Sequence, residues 1–213
     1  MADRAVVFVD GNNWYHALRD AGVQAQGQLD YAKISRKLLG PRIWVGTRYY
    51  VGRLVQEENT TLYAEQRRFL DRLQATDGRI TAHLGRMERR PARDRAAREL
   101  ARYLGALRTR IDRTVFHDLQ KIASDHRRSD VYVEKAVDVM LAVDMVMMAH
   151  RDELDAAYLL SADGDFTPAV EALTGLGKKV YVASPAMGAR LAGVATAYIR
   201  LEASWFEDCY RGN

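Results

Sequence analysis

Aspartates occur shortly after two apolar runs of the sequence, where predicted buried strands end. Asp10 follows the run at 5–9, and Asp163 and Asp165 follow the run at 156–160. The carboxyl ends of parallel strands meet at one edge of an open α/β sheet, where ligands bind. Carboxylates that lie close together repel each other unless a cation neutralises them, and oxygen-only sites favour Mg²⁺ or Mn²⁺. The spacing therefore predicts a divalent-metal site that contains Asp10 and Asp163.

Two further acids belong to an apolar helix predicted for residues 134–150. Asp138 lies in its first turn, either as a third carboxylate of the metal site or as a charge that only interacts with the helix dipole. Asp144 shares a helical stripe with apolar residues, so we expect it to be buried and to need donors or a metal. The two acids are about 240° apart around the helix, so we expect Asp144 to support the site without binding the same ion.

Polar residues beside the first acids each have two plausible roles. Asp165 is expected either to bind the metal, directly or through water, or to cap the helix that follows. Asn13 either caps the helix after Asp10 or donates a hydrogen bond to Asp10 or to a scissile phosphate. Ser161 is predicted to support the carboxylates without binding the metal itself.

Alternating strand and helix patterns position these residues. The predicted strands are at 5–9, 43–51, 79–84, 156–160 and 179–183, with a short edge strand at 198–201. This alternation predicts an α/β fold with a mainly parallel sheet of five or six strands in the order 3-2-1-4-5. The first and fourth strands are then neighbours at the topological switch point, where Asp10 and Asp163 face each other.

The alternation breaks between about residues 92 and 128, where helical patterns cover 94–107 and 112–126. We interpret this segment as a basic helical hairpin inserted into a single domain that spans residues 1–213. Its apolar stripe could mediate a homodimer or pack against the domain. The stripe consists of Leu100, Leu104, Leu107, Leu119 and Ile122.

The positive charge of the chain is concentrated around this hairpin. From Arg86 to Arg128 there are thirteen Lys or Arg and six Asp or Glu residues, a surplus of seven, whereas the whole chain has a net charge of +4. The uneven distribution favours an anionic partner that approaches from one side, and a solvated Arg/Glu helix is the alternative.

The bulk composition excludes several classes of protein. No apolar run is long enough to span a membrane, and Met1–Arg4 leads directly into a predicted strand, so we expect no signal peptide and no membrane partner. The single cysteine, Cys209, excludes a disulfide framework and a cysteine-built metal site. Such cysteine usage suits the reducing cytoplasm, where we expect the protein to be located.

Three motifs in this order resemble the bacterial NYN domain, the LabA-like branch of the PIN-like nuclease superfamily. The motifs are Val6–Asn13, then Lys135–Asp138 with Leu141–Asp144, and then Leu160–Phe166 with Leu176–Val180. The resemblance covers about 4–90 and 130–202 and leaves out 92–128. It implies a PIN-like Rossmannoid three-layer sandwich and a metal-dependent ribonuclease that hydrolyses RNA with Mg²⁺ or Mn²⁺.

The resemblance also implies a set of site residues. The matching metal-binding acids are Asp10, Asp138, Asp163 and Asp165, and Asn13 matches the polar residue beside the first acid. The chain departs from the family at Ala197, in a region where such domains often carry a further Asp.

Basic and aromatic side chains are candidates for RNA contacts. Trp14 and Tyr15 either stack on a base or, as we favour, pack in the core. Lys135 either reaches the phosphate or remains a surface lysine. The residues predicted to follow the RNA backbone are Arg89, Arg90, Arg93, Arg95, Arg98 and Arg102.

Two other functions are compatible with the acids. A phosphatase of the haloacid-dehalogenase type also begins with a strand and an aspartate, but it needs a second acid two residues later, where this chain has Asn12. A non-catalytic scaffold that binds RNA or protein would retain the acids for structure alone.

Overall fold

The first strand of the chain is the buried centre of a parallel sheet in the computed structural model. This strand, β1 (Arg4–Asp10), is buried from Ala5 to its last residue, as expected for an apolar, β-branched run that is covered on both faces. The structure describes residues 2–56, 59–91, 95–128 and 130–212.

Strands and helices alternate along most of the chain. The other strands are β2 (Ile43–Gly52), β3 (Ile80–Pro91), β4 (Asp130–Lys135), β5 (Ala156–Leu160), β6 (Lys179–Ser184) and β7 (Ala197–Arg200). The helices are α1 (Gly11–Asp20), α2 (Tyr31–Leu39), α3 (Thr60–Thr76), α4 (Arg95–Leu107), α5 (Arg113–Arg128), α6 (Val137–His150), α7 (Thr167–Gly175) and α8 (Ala189–Val194).

Six strands pair in parallel in the order β3-β2-β1-β5-β6-β7. Because β5 is the fourth strand of the predicted pattern, this order confirms the predicted 3-2-1-4-5 sheet and its additional edge strand. β1 and β5 are neighbours, with Val9 opposite Leu160. The carboxyl ends of these two strands therefore meet at the switch point of the sheet.

Helices cover both faces of the sheet, which gives the predicted three layers. Successive residues of a strand point to opposite faces. Val7 and Val9 belong to a core that includes residues of α1, α2 and α3, whereas Val6 and Phe8 belong to a core that includes residues of α6 and α7. By the same alternation, the side chain of Asp10 lies on the face that α6 and α7 cover.

Residues 87–134 form a compact unit, distinct from the unit formed by residues 1–86 and 135–213. In this unit α4 and α5 pack against each other around Leu104 and Phe116. The strand β4 belongs to this unit except for its last residue, Lys135. The two helices lie close to the ranges that the sequence predicts for a hairpin.

The start of α6 differs from the sequence prediction. The sequence predicts a helix from Glu134, but Glu134 and Lys135 lie in β4 and the helix begins at Val137. Ala136 between them has a φ of 71°, in the left-handed region. A right-handed helix cannot continue through such a residue, and the conformation costs alanine roughly 1–2 kcal/mol.

The helix α6 is less buried than its apolar sequence predicts. Leu141 and Met145 are fully buried, but Val139, Val143 and Met147 are 65%, 52% and 38% exposed.

Among the residues that the structure describes, no helix is long and apolar enough to cross a lipid bilayer.

Gly11 stands where the chain leaves β1 and passes close to β2. A Cβ atom on Gly11 would lie 2.6 Å from Cε1 of Tyr49 and 2.7 Å from the carbonyl oxygen of Tyr50. The Tyr49 ring is buried against other aromatic rings and the Tyr50 carbonyl belongs to β2, so a retreat of either group disturbs the core or the strand. We therefore expect Gly11→Ala to lower the free energy of unfolding by about 1–3 kcal/mol in urea denaturation.

The matched control for this variant is Gly175→Ala at the end of α7, where an added Cβ meets no described atom within 4 Å. We expect this control to leave stability unchanged or to raise it slightly, because alanine has the higher helix propensity. Equal stabilities of the Gly11→Ala and Gly175→Ala variants would contradict the steric argument.

Candidate functional site

The side chain of Asp10, at the end of β1, is buried and only 3% exposed. Its Oδ1 accepts a hydrogen bond from the backbone N–H of Asn13 at 3.3 Å, and its Oδ2 accepts one from the Ser161 hydroxyl at 2.9 Å. Asp10 is therefore the N-cap of α1 and also a carboxylate at the carboxyl edge of the sheet. Ser161 can reach it because β5, which ends at Leu160, is the neighbour of β1.

Ser161 and Asn13 join the ends of β1 and β5. The Ser161 Oγ accepts a hydrogen bond from the backbone N–H of Asp163 at 3.1 Å. The Oδ1 of Asn13 accepts one from the backbone N–H of Ala162 at 3.0 Å, so the side-chain donor that remains to Asn13 is its amide nitrogen. These bonds hold the turn after β5 in a fixed position relative to Asp10.

Asp163 and Asp165 lie in that turn. Asp163 Oδ1 accepts a hydrogen bond from the backbone N–H of Asp165 at 3.0 Å and so caps a short 3₁₀ turn, Gly164–Phe166. The following helix α7 has Phe166 at its N-cap position and no side-chain capping bond. The helix cap that the sequence offers as one role of Asp165 is therefore not formed, and Asp165 is exposed.

Burial and neighbouring carboxylates both raise the pKa values of two acids at this edge of the sheet. Burial raises the pKa of Asp10 from 3.8 to about 6, against the lowering effect of its bonds to Ser161 and Asn13, and the charges of Asp138 and Asp163 raise it further. The pKa of Asp138 is raised by partial loss of solvent and then by Asp163 and Asp165. We call Asp10, Asp138, Asp163 and Asp165 the acid cluster.

The donor chemistry of the acid cluster fits a hard divalent cation. Among the described side chains no lysine or arginine forms an ion pair with any of its four members. In the described part of the chain no three acidic, histidine or cysteine side chains already surround a common point. The side chains of Asp138 and Asp165 are exposed and can change rotamer.

Asp144 lies in a separate network. Its Oδ2 accepts hydrogen bonds from the Tyr50 hydroxyl at 2.6 Å and from Arg48 Nη1 at 3.0 Å, and the Tyr50 ring stacks on His83. Its side chain is 34% exposed, so the prediction that it is buried is wrong. The predicted donors are present, and their effect is to fasten α6 to β2.

Several predicted RNA-contacting residues lie outside the described part of the structure. Neither the backbone nor the side chain of Arg93 is described. The side chains that are not described are those of Arg89, Arg90, Arg95, Arg98 and Lys135. Arg102 is exposed on α4. Tyr15 is 52% exposed, so the favoured prediction of core packing is wrong for this side chain. Trp14 is fully buried and packs edge-on against Phe206, which places it in the core as favoured.

The structure brings a basic residue to the acid cluster that the sequence analysis does not predict. A Cβ atom on Gly164, between Asp163 and Asp165, would lie 3.0 Å from Cδ and 3.6 Å from Cβ of Arg190. The stem of Arg190 therefore runs alongside this turn. The one signal in the sequence is that Arg190 follows β6, whose carboxyl end lies at the same edge of the sheet.

The fold and the acids at the switch point define a PIN-like α/β protein. The sequence matches the NYN domain over residues 4–202, nearly the whole chain, and the protein belongs to this family. A crystal structure of a protein of unknown function from Vibrio parahaemolyticus is similar in fold, with a TM-score of 0.55 and 17% sequence identity over 94% of each chain. A comparison with curated proteins gives no significant match.

The raised pKa of Asp10 predicts a pH-dependent stability. The folded chain holds this proton more tightly than the unfolded chain does, so stability declines as the pH rises from about 4 to about 7. A shift from 3.8 to about 6 corresponds to about 2–3 kcal/mol. In Asp10→Asn this part of the decline is absent, so we expect the variant to gain that amount relative to wild type over this range.

The measurement is urea denaturation at several pH values with EDTA present, so that no divalent cation contributes. Asp20→Asn removes one exposed charge at the end of α1 and is the control. A difference in stability between wild type and Asp10→Asn that is the same at every pH would show that Asp10 titrates normally.

Proposed function

We propose that this chain is a metal-dependent ribonuclease that hydrolyses RNA phosphodiester bonds at the acid cluster. The observation that supports it is the buried carboxylate of Asp10 at the switch point, whose pKa is raised by burial and further by the charges of Asp138 and Asp163. Uncompensated carboxylates at such a place are stabilised by a bound cation. Membership of the NYN family, within the PIN-like nuclease superfamily, supports the same function.

Each residue of the site has a role in this proposal. Asp10, Asp138, Asp163 and Asp165 hold one or two Mg²⁺ or Mn²⁺ ions. A bound ion of this kind supplies positive charge for the scissile phosphate and lowers the pKa of water. Asn13 donates its remaining amide hydrogens to the phosphate.

In this proposal, two further residues hold the metal ligands in place without binding the metal themselves. Ser161 orients Asp10 and the backbone of Asp163 at the same time, because its hydroxyl donates to one and accepts from the other. Asp144 holds α6, and with it Asp138, against β2 through Arg48 and Tyr50.

The basic residues extend the proposal to RNA binding. We assign the RNA backbone contacts to Lys135, Arg89, Arg90, Arg93, Arg95, Arg98 and Arg102. Residues 1–213 act as one NYN domain in this proposal, with the helical hairpin at about 92–128 as an insertion. A cytoplasmic location is supported by Cys209, which is a free and buried thiol.

Removing a carboxylate of the acid cluster is expected to abolish cleavage. Asp10→Asn and Asp163→Asn should each reduce the hydrolysis of a labelled single-stranded RNA by at least about 100-fold, because they remove proposed metal ligands. Asp20→Asn is the control, and wild-type cleavage should require Mg²⁺ or Mn²⁺ and stop in EDTA. Full activity in both cluster variants would refute the mechanism.

The non-catalytic scaffold is the second candidate, and it is favoured by the absence of a preformed three-acid set among the described residues. Titration of Mn²⁺ against thermal unfolding separates the two functions. A metal that binds the folded state raises its stability by about 2.7 kcal/mol at a concentration of 100 Kd. We expect this rise in wild type and its loss in Asp163→Asn, whereas a scaffold shows neither the rise nor RNA cleavage.

The helical hairpin is proposed as a homodimer contact. Val115, Leu119 and Ile122 lie on one face of α5 and are exposed, 50%, 36% and 59% respectively. In a dimer we expect twice the chain mass of 24.1 kDa by light scattering, and a return to the monomer mass in Ile122→Asp. A monomeric wild type would remove this contact from the proposal.

A further inference from the structure

We propose that Arg190 binds a phosphate of the RNA strand beside the scissile bond and so holds the substrate at the acid cluster. This inference rests on the proposed ribonuclease function and adds a substrate contact to it. Arg190 lies in α8, outside every motif that the sequence resemblance uses.

The first observation is the position of the arginine stem. Gly164 has acids on both sides in the sequence, Asp163 and Asp165. A Cβ atom on Gly164 would lie 3.0, 3.6 and 3.7 Å from Cδ, Cβ and Cγ of Arg190. Three methylene carbons thus lie against the glycine, and they bring the guanidinium group to the turn that carries two members of the acid cluster.

The second observation is that the backbone leading to Arg190 is fixed. The backbone N–H of Ala186 donates a hydrogen bond to Ser184 Oγ at 3.2 Å, and the Tyr198 hydroxyl donates one to the Ala186 carbonyl at 2.6 Å. Gly188 then passes so close to the turn after β5 that an added Cβ would lie 3.2 Å from the carbonyl oxygen of Ala162. The segment that precedes α8 therefore packs directly on the acidic turn.

The third observation concerns the partners of the Arg190 guanidinium. Arg190 is exposed, and within the described residues its guanidinium has neither an ion pair nor a hydrogen bond. This holds although two carboxylates lie in the adjacent turn, and one oxygen of Asp163 is already engaged by the Asp165 N–H. An arginine held beside acids without pairing with them is available to an anion that the acids alone would repel.

A phosphodiester is the anion that fits this arrangement. The guanidinium presents planar N–H donors that match two phosphate oxygens, and its charge offsets the repulsion between RNA and four carboxylates. The contact is to the phosphate backbone of the RNA and not to the edge of a base, so it gives no sequence preference.

The test compares the binding of a fluorescent single-stranded RNA to wild type, Arg190→Ala, Arg190→Lys and Arg151→Ala. Anisotropy is measured in EDTA, which prevents cleavage, at salt concentrations from about 50 to 200 mM. Arg151 is the matched control, because it is an exposed arginine beyond the far end of α6, about 20 Å along the helix from Asp138.

Arg190→Ala should bind RNA about tenfold more weakly, since it loses one charged hydrogen-bonding contact. The slope of log K against log salt should fall by about 0.7, the contribution of one phosphate contact on a single strand. Arg190→Lys should keep the slope and recover part of the affinity, and Arg151→Ala should match wild type. In cleavage assays Arg190→Ala should raise KM more than it lowers kcat.

The outcomes separate this inference from the ribonuclease proposal. An unchanged affinity and slope in Arg190→Ala, with cleavage by wild type intact, overturns the Arg190 contact alone. An equal loss in Arg151→Ala also overturns it, because the loss then reflects net charge. If wild type binds RNA through Arg190 but cleaves it with no metal, the contact stands and the nuclease proposal fails. Absence of RNA binding overturns the contact.

Discussion

A carboxylate buried at the end of the central strand is the constraint on which the site depends. Burying the charge of Asp10 is unfavourable, and the structure offsets the cost with one donor for each oxygen, the Ser161 hydroxyl and the Asn13 N–H. Each donor is where it is because of the fold: Ser161 follows β5, the neighbour of β1, and Asn13 opens α1. The remaining cost of burial appears as a raised pKa of Asp10, so above that pKa the fold keeps a buried negative charge that a bound cation would stabilise.

The helix α6 connects this site to the rest of the sheet. Its first turn carries Asp138, and six residues later Asp144 accepts hydrogen bonds from Arg48 and Tyr50 of β2. A half-exposed acid with two donors is a weak source of stability. It does orient the helix, because hydrogen bonds from two residues of β2 fix the position of α6 along and across the strand. Because Ala136 has a left-handed conformation, the helix begins at Val137, one residue before Asp138.

The sequence predicts the sheet well and the entry to α6 poorly, for physical reasons. Runs such as 156–160 are apolar, short and bounded by turn residues, which leaves few alternatives to a buried parallel strand. The segment 131–133 has similar β-branched and aromatic character, but the strongly apolar helix after it hides the boundary, and no sequence pattern signals an alanine with positive φ. The nearness of Asp10 to Asp163 follows from strand order alone. The network of Asp144 does not, since its partners are on β2, more than ninety residues earlier.

The surroundings of Gly164 also could not be predicted from the sequence. They bring together acidic and basic side chains that have no ionic partner among the described residues. On one side the acid cluster has no described cation as a partner, and on the other Arg190 has no described anion. Opposite charges this close would normally pair, but an oxygen of Asp163 is occupied by the Asp165 N–H and the arginine stem is held along the glycine. A phosphate that arrives with a divalent cation would satisfy both sets at once. Glycine at position 164 permits this close approach, because a Cβ atom there would lie 3.0 Å from Cδ of Arg190 and the arginine stem would have to shift.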